Sequence, residues 1–382
     1  MRSTEDDAPH IVLLNRRDAG HPQGGGSERY LERVAFGLSG RGYRVTVLCS
    51  MYEGAQADEA VSGVRFRRRG NDLTVGWYAL LFVALTAADL IVDVQNGLPF
   101  FSRLVARCPV VVVVHHLHRE QWRMVFGRLV GGIGWWIESR LGPLAYRNCR
   151  YVTVSQATRR ALADLGIAQA RTLVIHNGLD PVPQTATSRE PTPLLVAVSR
   201  LTPHKQLEHA IETVARLRRW WPGLRLEVVG QGPWLENLRE YARQRGVIEA
   251  VVLHGWVDES AKHETLARAW VHLCPSVMEG WGIVVMEAAA HGVPTVAYWH
   301  AGGVAESVSH GSTGLLAEDL DHFVAQVQTL LAEQELRAEL GRACLAHALD
   351  HRWDETVDAF ETLAAQLCGW PPHRPSVPAG SA

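Results

Sequence analysis

The stretch EGWGIVVME, from Glu279 to Glu287, places two carboxylates eight residues apart. It follows the apolar run Trp270–Cys274, which predicts a buried strand, and a Pro-Ser turn. An alanine-rich segment comes next and stops at a Gly-Val-Pro turn, which predicts a helix. We therefore expect Glu279 in a loop at the carboxyl end of a strand and Glu287 on the following helix, where parallel α/β sheets bind ligands. Gly280 and Gly282 leave backbone N–H groups free to face an anion there.

The longer segment PSVMEGWGIVVMEAAAHGVP, residues 275–294, resembles the E-x7-E motif of retaining GT-B glycosyltransferases of family 4. Two glutamates at this spacing occur by chance in many chains, but the strand, turn and helix signals around them make the resemblance specific. It implies an α/β fold of the GT-B type, with two Rossmann-like domains whose parallel sheets face a central cleft. It also implies a nucleotide-diphosphate sugar as donor, retention of the anomeric configuration, and no metal or other cofactor.

Short apolar runs alternate with helical patterns along the chain, which independently predicts two parallel α/β sheets. The predicted strands of the first sheet are Ile11–Leu14, Val45–Leu48, Val64–Phe66, Leu90–Val94, Val110–Val114, Tyr151–Val154 and Leu173–Ile175. Those of the second are Leu194–Val198, Leu226–Val229, Val251–Leu253, Val271–Cys274 and Thr295–Tyr298. The apolar stretch Val75–Ala88 is too short to span a bilayer, and we interpret it as a buried helix.

The Pro- and Thr-rich segment 183–193 predicts a linker between two domains. We expect the first domain, on the acceptor side, over residues 1–182 and the second, which holds the donor, over residues 194–350. From the resemblance, a helix over about residues 353–370 should cross back onto the first domain. The Pro-, Gly- and Ser-rich tail 371–382 predicts disorder.

Composition agrees with a globular enzyme of 382 residues, with 47% apolar and 20% charged side chains. The net charge of -2 gives no general attraction for nucleic acid, so we expect no nucleic-acid partner. The six cysteines form no CxxC pair, which indicates reduced thiols and a cytoplasmic location. The first residues are polar and acidic, unlike a signal peptide.

A basic pair follows the first strand of the second domain. Arg200 and Lys205 match the R-L-x-x-x-K motif of the resembling family, in which these side chains bind the donor diphosphate. The leaving diphosphate gains negative charge as the glycosidic bond breaks, and a guanidinium and an ammonium offset that charge. The resemblance further implies that Glu287 binds the ribose hydroxyls and that Glu279 contacts the donor sugar.

Glycine turns follow several strands of the second domain. In the resembling family such turns lie beside the nucleotide. The resemblance thus implies donor-binding positions at Gly230, Gly255, Gly280, Gly282, Ile283, Val284 and Gly303.

A glycine-rich loop also follows the first strand of the first domain and leads into a helix. It resembles the family's G-G-x-E-R segment, in which the glycines, here Gly25 and Gly26, approach the donor phosphate. Ser27 is a suitable N-cap for the helix. Glu28 either serves the site or only favours the helix dipole.

Histidines emerge where the valine-only strand Val110–Val114 ends. The family places one histidine here, near the transferred sugar, and the resemblance assigns it to His115, with His116 as the alternative. A metal site formed by His115, His116 and His118 is a further interpretation. The D-x-D sequence that begins at Asp319 is better explained as a helix cap.

Three other classes of protein remain in view. A phosphorylase that uses pyridoxal phosphate needs a Schiff-base lysine, and the chain has only Lys205 and Lys262. A nucleotide-sugar epimerase would need no acceptor. A protein that binds nucleotide-sugars without turnover is the third. For the transferase the acceptor would be a sugar, a lipid-linked molecule or a small metabolite.

Contact with a membrane is an open alternative for residues 122–146. This segment mixes large apolar side chains with arginines, which fits an amphipathic surface on a bilayer. It also fits core helices with ordinary aromatic packing, which is the interpretation that we favour from sequence. If residues 122–146 contact a bilayer, the protein would be cytoplasmic and peripheral to the membrane.

Overall fold

The computed structural model describes residues 8–183 and 188–371. The predicted linker is described only in part, since residues 184–187 lie outside these ranges. The predicted tail lies outside them from residue 372 onward. The described residues form two α/β domains, each built on one sheet.

The first sheet has eight strands in the order β3-β4-β2-β1-β5-β6-β7-β8. Its central strands consist of buried apolar residues, as expected for strands covered on both faces. The strands are β1 (His10–Leu14), β2 (Arg44–Cys49), β3 (Asp58–Val61), β4 (Val64–Arg68), β5 (Leu90–Val94), β6 (Val110–Val114), β7 (Arg150–Thr153) and β8 (Thr172–Val174).

The second sheet has six parallel strands in the order β11-β10-β9-β12-β13-β14. The chain leaves β9 toward one side of the sheet and returns to its other side at β12. The loops after β9 and β12 therefore open a crevice between them, which is where α/β sheets bind ligands. The strands are β9 (Leu194–Val198), β10 (Arg225–Val229), β11 (Val251–Gly255), β12 (Val271–Cys274), β13 (Thr295–Tyr298) and β14 (Gly314–Ala317).

Two of these strands were not predicted from the sequence. One is β3, which pairs antiparallel with β4, so the first sheet is not parallel at this edge. Its four residues, two of them acidic, are mostly exposed, and the two-residue turn Ser62–Gly63 has positive φ at both positions, as tight hairpins require. The other is β14, a four-residue edge strand too short to give a clear pattern.

Thirteen helices are described. In the first domain they are α1 (Gly26–Gly40), α2 (Val75–Leu85), α3 (Arg119–Trp136), α4 (Gly142–Ala145) and α5 (Gln156–Asp164). The others are α6 (Leu207–Leu217), α7 (Leu235–Gln244), α8 (Glu259–Arg268), α9 (Ile283–Ala289), α10 (Val304–Ser307), α11 (Leu320–Ala332), α12 (Gln334–Leu349) and α13 (Trp353–Cys368). The side chain of Asp319 caps α11 by accepting a hydrogen bond from the backbone of His322, as predicted.

The prediction that α2 is buried is wrong. Only one side of this helix packs on the sheet, through Val75, Ala79 and Val83. On the opposite side, Trp77 is 75% exposed and Leu85 is 78% exposed. A helix that is apolar all around gives no sign in the sequence of which side faces the core.

Helix α3 is broken at Gly127, whose φ is 72°. Its second arm folds back on the first at Trp122. A Cβ at Gly131 would lie 2.3 Å from the carbonyl oxygen of Trp122, and one at Gly134 would lie 2.6 Å from its ring. We call this element the α3 hairpin, and glycine is required where its arms meet.

The last helix, α13, packs against α1 of the first domain. Val357 on α13 belongs to the same apolar cluster as Leu31 and Val34 on α1. The start of α13 also meets the end of the first domain, since Gly178 lies directly against Trp353. The chain thus crosses between the domains twice.

None of the described helices is both long and apolar enough to cross a lipid bilayer. All six cysteines are free thiols, and four of them are buried.

Candidate functional site

The acidic motif and the basic motif meet at the crevice of the second sheet. Glu279 lies in the loop after β12, and Lys205 ends the short helical turn after β9. The Lys205 ammonium forms an ion pair with Oε1 of Glu279, which also accepts a hydrogen bond of 2.8 Å from the Ser276 hydroxyl. Burial is the largest influence and raises the pKa of Glu279, but the charge and hydrogen bond of Lys205, together with the Ser276 hydroxyl and the charge of His204, hold that pKa below its usual value.

Arg200 lies beside this pair at the end of β9. Its side chain is exposed, and it forms no ion pair or hydrogen bond with any residue of the described ranges. Across the cleft it approaches the glycine loop of the first domain, where a Cβ at Gly25 would lie 3.9 Å from its Nε. A free guanidinium here is available to an anion.

The second carboxylate of the motif, Glu287, lies on α9 and is 4% exposed. Two cations reach its Oε1. The Lys262 ammonium from α8 is at 2.8 Å, and Nη1 of Arg29, on α1 of the first domain, is at 3.1 Å. Both cations also contact Glu259. This network connects the two domains at the site.

The other oxygen of Glu287, Oε2, is buried and has no hydrogen-bond partner among the described residues. A buried acceptor without a partner is costly, so this oxygen is available to a ligand donor such as a hydroxyl group.

Glu259, His263 and Glu287 form the one group of side chains in the described ranges with metal-ligating atoms close together, all within 4.8 Å. Both carboxylates of this group already bind Lys262 and Arg29. A metal ion would have to displace these cations.

The loop after β12 makes close contact with the first domain. A Cβ at Gly280 would lie 2.8 Å from the carbonyl oxygen of His115, and one at Gly303 would lie 1.9 Å from the carbonyl oxygen of Gly280. At Gly282, φ is 86°, a conformation that favours glycine before a helix. Gly280 and Gly303 need glycine because backbone approaches backbone, and Gly282 needs it because its φ is positive.

The next two residues of the motif differ in their contacts. Ile283 faces the first domain, where a Cβ at Gly26 would lie 3.0 Å from it. Val284 packs inside the second domain, next to the apolar cluster that includes Val198 and Val229.

The turns at Gly230 and Gly255 join neighbouring loops of the second sheet. A Cβ at Gly230 would lie 1.8 Å from the carbonyl oxygen of Ser199, and its N–H bonds to the carbonyl of Gly255 at 2.8 Å. These glycines therefore position the loop that carries Arg200.

At the start of α1 the predicted cap is wrong. The N-cap is Gly25, and Ser27 lies in the first turn. The Glu28 carboxylate is buried and accepts hydrogen bonds from the backbone of Gly25 at 2.9 Å and from the Ser27 hydroxyl at 2.7 Å. Glu28 closes the glycine loop onto its own helix, because glycine has no side chain to cap with.

His115 lies at the carboxyl end of β6 and is 5% exposed. Its ring contacts Tyr30 edge-on at 5.2 Å, and its Nε2 has no partner among the described residues. Burial, together with the charge of His118, lowers the pKa of His115 to about 4, so the ring is neutral near pH 7.

The neighbouring histidines do not form a metal site. The rings of His116 and His118 contact each other, tilted by 39° with their centroids 4.3 Å apart, and no metal-ligating group in the described part of the chain includes them with His115. The interpretation of these three residues as metal ligands is therefore wrong. Burial is the main cause that lowers the pKa of His116, and the charge of Lys205 contributes, which places His116 close to the basic motif.

Sequence reasoning missed three side chains at this site. Arg29 is the arginine of the G-G-x-E-R segment, and Lys262 is the second of two lysines, but their meeting at Glu287 depends on how the domains face each other. The third is Glu138, fully buried between α3 and α4 and bonded to His118 at 3.0 Å. The signal in the sequence that could have identified Glu138 is a carboxylate within an otherwise apolar segment.

Two family models match adjoining halves of the chain. The model described as Glycosyltransferase Family 4 matches residues 24–182. The model described as Glycosyl transferases group 1 matches residues 182–344. Together they include both motifs, the glycine loop and the histidines.

Sequence relatives agree with this match. A GDP-mannose-dependent alpha-(1-6)-phosphatidylinositol monomannoside mannosyltransferase of Mycobacterium tuberculosis is 34% identical over 184 residues, 46% of this chain and 46% of that protein. The chain thus aligns with about half the length of this relative. A glycogen synthase of the same species is 27% identical over 381 residues, 90% of this chain and 92% of that protein.

Among solved structures, sucrose-phosphate synthase from Thermosynechococcus elongatus superimposes with a TM-score of 0.77. The match covers 95% of this chain and 100% of that chain at 18% identity. At this identity the similarity shows the fold alone, and it confirms the predicted architecture.

Proposed function

Because this chain belongs to the group 1 glycosyltransferases of the GT-B fold, we propose that it transfers a sugar from a nucleotide-diphosphate donor to an acceptor hydroxyl with retention. The observation that carries the proposal is the meeting of the two motifs. Lys205 pairs with Glu279, and Arg200, which has no partner in the described ranges, lies in the same loop after β9, so positive charge and the carboxylate proposed to bind the donor sugar share one crevice.

In this proposal Arg200 and Lys205 bind the donor diphosphate. The guanidinium offers a planar fork and the ammonium a compact charge, and both stabilise the negative charge that grows on the leaving group. Glu279 receives hydroxyl groups of the donor sugar and fixes the anomeric carbon. We propose no metal cofactor, since these cations supply the charge that a metal would supply.

Glu287 is proposed to bind the ribose. Its Oε1 is held by Lys262 and Arg29, which leaves Oε2 as the acceptor for a ribose hydroxyl. Arg29 comes from the first domain, so the same carboxylate that binds the donor also holds the cleft closed. Closure excludes water that would otherwise hydrolyse the donor.

The donor site is tested first by ligand-induced stabilisation against UDP, GDP, ADP and TDP and their common sugars. One base should be selected, and at 100-fold its dissociation constant it should add about 2.7 kcal/mol to the free energy of unfolding. Arg200→Ala should lose most of this gain, because an exposed, unpaired cation has no other role in the fold. The expected readout is the shift of the unfolding midpoint with nucleotide.

Arg239→Ala is the control, because it removes a partly exposed arginine, paired only with Glu236, from a helix of the same domain. It should keep the full nucleotide shift. If none of the nucleotides stabilises the wild type, the donor assignment is wrong. Release of nucleotide only when an acceptor is added would separate a transferase from an epimerase, and the anomeric configuration of the product would test retention.

We also propose that the first domain rests on an anionic lipid surface, where a lipid-linked acceptor is found. The support is an exposed apolar surface, here called the apolar face. It continues from α2 to the turn at Ser102–Leu104, and Phe101 before that turn stacks on Tyr146 after α4. Its exposed members on the helices include Trp77, Leu81, Leu85, Phe126, Leu129, Val130, Ile133, Trp136 and Leu144.

The expectation that residues 122–146 form core helices is wrong for the α3 hairpin. Leu129 is 86% exposed and Ile133 is 61% exposed. The hairpin also carries Arg123 and Arg128, which have no carboxylate partner in the described ranges and would complement anionic lipid. The name of the aligned mannosyltransferase includes a phosphatidylinositol lipid, which is consistent with this proposal.

Binding to lipid vesicles tests the apolar face. The full chain should sediment with vesicles that contain phosphatidylglycerol and much less with phosphatidylcholine alone. The double variant Phe126→Asp with Leu129→Asp should weaken binding at least tenfold, because each buried apolar side chain contributes about 1.5 to 3 kcal/mol. Trp220→Asp, at an exposed tryptophan of the second domain, should bind as the wild type does.

Equal sedimentation of the double variant and the wild type would contradict the lipid proposal. If the double variant instead changed the protein from a dimer to a monomer without any vesicle binding in the wild type, the apolar face would be an interface between copies of this chain.

A further inference from the structure

A pocket at the edge of the first domain is lined by arginines. It lies where β6 and β7 begin, at the end of the sheet opposite the cleft, and has a volume of about 580 Å³. Residues 103–110 form one wall, residues 148–150 form the other, and Leu367 of α13 lies beside them. The pocket contains three guanidinium groups and no acidic residue, and its arginines are Arg103, Arg107 and Arg150.

The charges of these arginines are not neutralised within the protein. All three side chains are exposed, and none forms an ion pair with a carboxylate of the described ranges. Arg150 donates one hydrogen bond, to the carbonyl of Ala170 at 2.6 Å, and Arg103 donates one, to the carbonyl of Ala106 at 3.4 Å. A guanidinium has five N–H donors, so most of them are available to a ligand.

The other polar groups of the pocket add no negative charge. Asn148 offers a neutral amide. Burial raises the pKa of Cys149 to about 11, and burial together with the nearby Asp89 raises the pKa of Cys108, so both thiols are neutral near pH 7. Asp89 itself already accepts a hydrogen bond from the backbone of His10 at 2.7 Å. A cavity in which every charged lining group is a cation concentrates anions.

The two walls of the pocket are held in place by one buried carboxylate, Asp93. It accepts hydrogen bonds from the hydroxyl of Ser102 at 2.6 Å, from the backbone of Ser102 at 3.3 Å and from the hydroxyl of Tyr146. Ser102 leads into the first wall and Tyr146 into the second. Phe101, whose φ of 57° is uncommon for a residue other than glycine, stacks on Tyr146. Walls that are fixed in this way lose little conformational freedom when a ligand binds.

The pocket borders the apolar face. Leu104, which is 71% exposed, follows Arg103 in the same turn. Leu144 on α4, which is 64% exposed, precedes the second wall. Side chains of both walls belong to the apolar cluster on which α2 also packs. A bilayer that covers the apolar face therefore brings its headgroups to the rim of the pocket.

We propose that this pocket binds the phosphate group of an anionic lipid headgroup. The inference rests on the proposed contact between the first domain and a lipid surface. Guanidinium groups hold a phosphate through pairs of parallel N–H···O hydrogen bonds, which a lysine ammonium cannot form. Because the pocket and the α3 hairpin lie at opposite ends of the first sheet, the two contacts together fix the orientation of the first domain on the bilayer.

Sedimentation of the full chain with phosphatidylglycerol vesicles tests the pocket. The triple variant Arg103→Gln, Arg107→Gln and Arg150→Gln should bind about a hundredfold more weakly than the wild type, since each arginine at a lipid surface contributes about fivefold. Its unfolding midpoint and its nucleotide-induced stabilisation should match those of the wild type, because the three side chains are exposed and lie at the end of the sheet opposite the cleft.

The control removes the same number of charges from the second domain, by Arg219→Gln, Arg239→Gln and Arg342→Gln. It should bind the vesicles as the wild type does. This control shows whether the lost binding follows the position of the arginines or only the net charge of the protein.

A third variant separates a phosphate site from general attraction to a charged surface. It carries Arg103→Lys, Arg107→Lys and Arg150→Lys, which keep the charge and remove the paired hydrogen bonds. It should bind about tenfold more weakly than the wild type, the effect of losing one hydrogen bond to a charged group, and more tightly than the glutamine variant. Lysine and wild-type proteins that bind equally well would overturn the phosphate site.

The remaining failures can be told apart. A wild type that binds no vesicles defeats the lipid proposal and this inference together, while the nucleotide shift still tests sugar transfer. Vesicle binding that the apolar face variant loses and the glutamine variant keeps would overturn this inference alone. Inorganic phosphate that stabilises the wild type and not the glutamine variant, with equal vesicle binding by both, would mean that the pocket holds free phosphate and no lipid.

Discussion

Glu287→Ala should abolish nucleotide-induced stabilisation and also destabilise the free protein. The change removes the oxygen proposed to bind the ribose, and it leaves Lys262 with Glu259 and Arg29 with Glu259 and Asp180 as their remaining carboxylate partners. Breaking a buried ion pair on one side costs about 3 to 5 kcal/mol. Because Glu259 still pairs with both cations, we expect a loss near the lower end of that range. Denaturant unfolding with and without the selected nucleotide measures both effects.

The double variant Glu287→Ala with Lys262→Met separates the two effects. Removing the ammonium together with its partner leaves no unpaired buried charge, so part of the lost stability should return. Nucleotide should still give no shift. A Glu287→Ala protein that is less stable but keeps the full shift would mean that Glu287 is only an ion-pair partner between the domains.

The interior of both sheets could be predicted from sequence because its strands are continuous apolar runs. The strand Val110–Val114 has the same bounds in the prediction and in the structure. The hairpin strand β3 could not be predicted, since its polar residues lie on an exposed edge and depend on one neighbour. The family resemblance, which rested on the motif segments and not on these strand patterns, is confirmed by the two matching models.

The predictions of burial were wrong for segments whose side chains are apolar on every side. Helix α2 and the α3 hairpin have the composition of core helices, but α2 packs on the sheet with one side only, and the α3 hairpin is buried only where its arms meet, at Gly131 and Gly134. What covers the other side is not encoded in the pattern of the segment itself. The exposure of Trp77 and Leu129 therefore had to come from the structure.

The candidate site likewise has contacts that the sequence can predict and contacts that it cannot. Glu279 and Lys205 follow adjacent strands, so their proximity could be predicted from the order of the motifs. Contacts that cross the cleft, such as Arg29 with Glu287, depend on the relative placement of two domains. The pairing of His118 with Glu138 depends on how the α3 hairpin folds back, which local sequence does not reveal. The roles of all these residues stay predictions until variants are measured.

Lys205→Ala should lower the rate of sugar transfer by about 10²- to 10³-fold, the effect of removing one group that stabilises charge in a transition state. The lysine is the cation nearest Glu279, so its loss affects both the diphosphate and the donor sugar. Lys205→Arg should recover little, because a planar guanidinium does not replace a compact ammonium at this contact. Initial rates of nucleotide release with saturating donor measure the effect, and Arg239→Ala should keep the wild-type rate.

Lys205→Ala should also change the free energy of unfolding in a pH-dependent way, which would not be expected if Lys205 had a purely catalytic role. In the wild type the pKa of Glu279 lies below its usual value of 4.5, so the carboxylate contributes stability above pH 4.5 that is lost as the pH falls through its lowered pKa. Without Lys205, burial is opposed only by the Ser276 hydroxyl and the charge of His204, so the pKa should rise and the contribution to stability at neutral pH should be lost. The difference in unfolding free energy between wild type and Lys205→Ala should therefore be largest near pH 7 and shrink toward pH 3. A difference that does not change with pH would mean that the ion pair does not set the charge of Glu279.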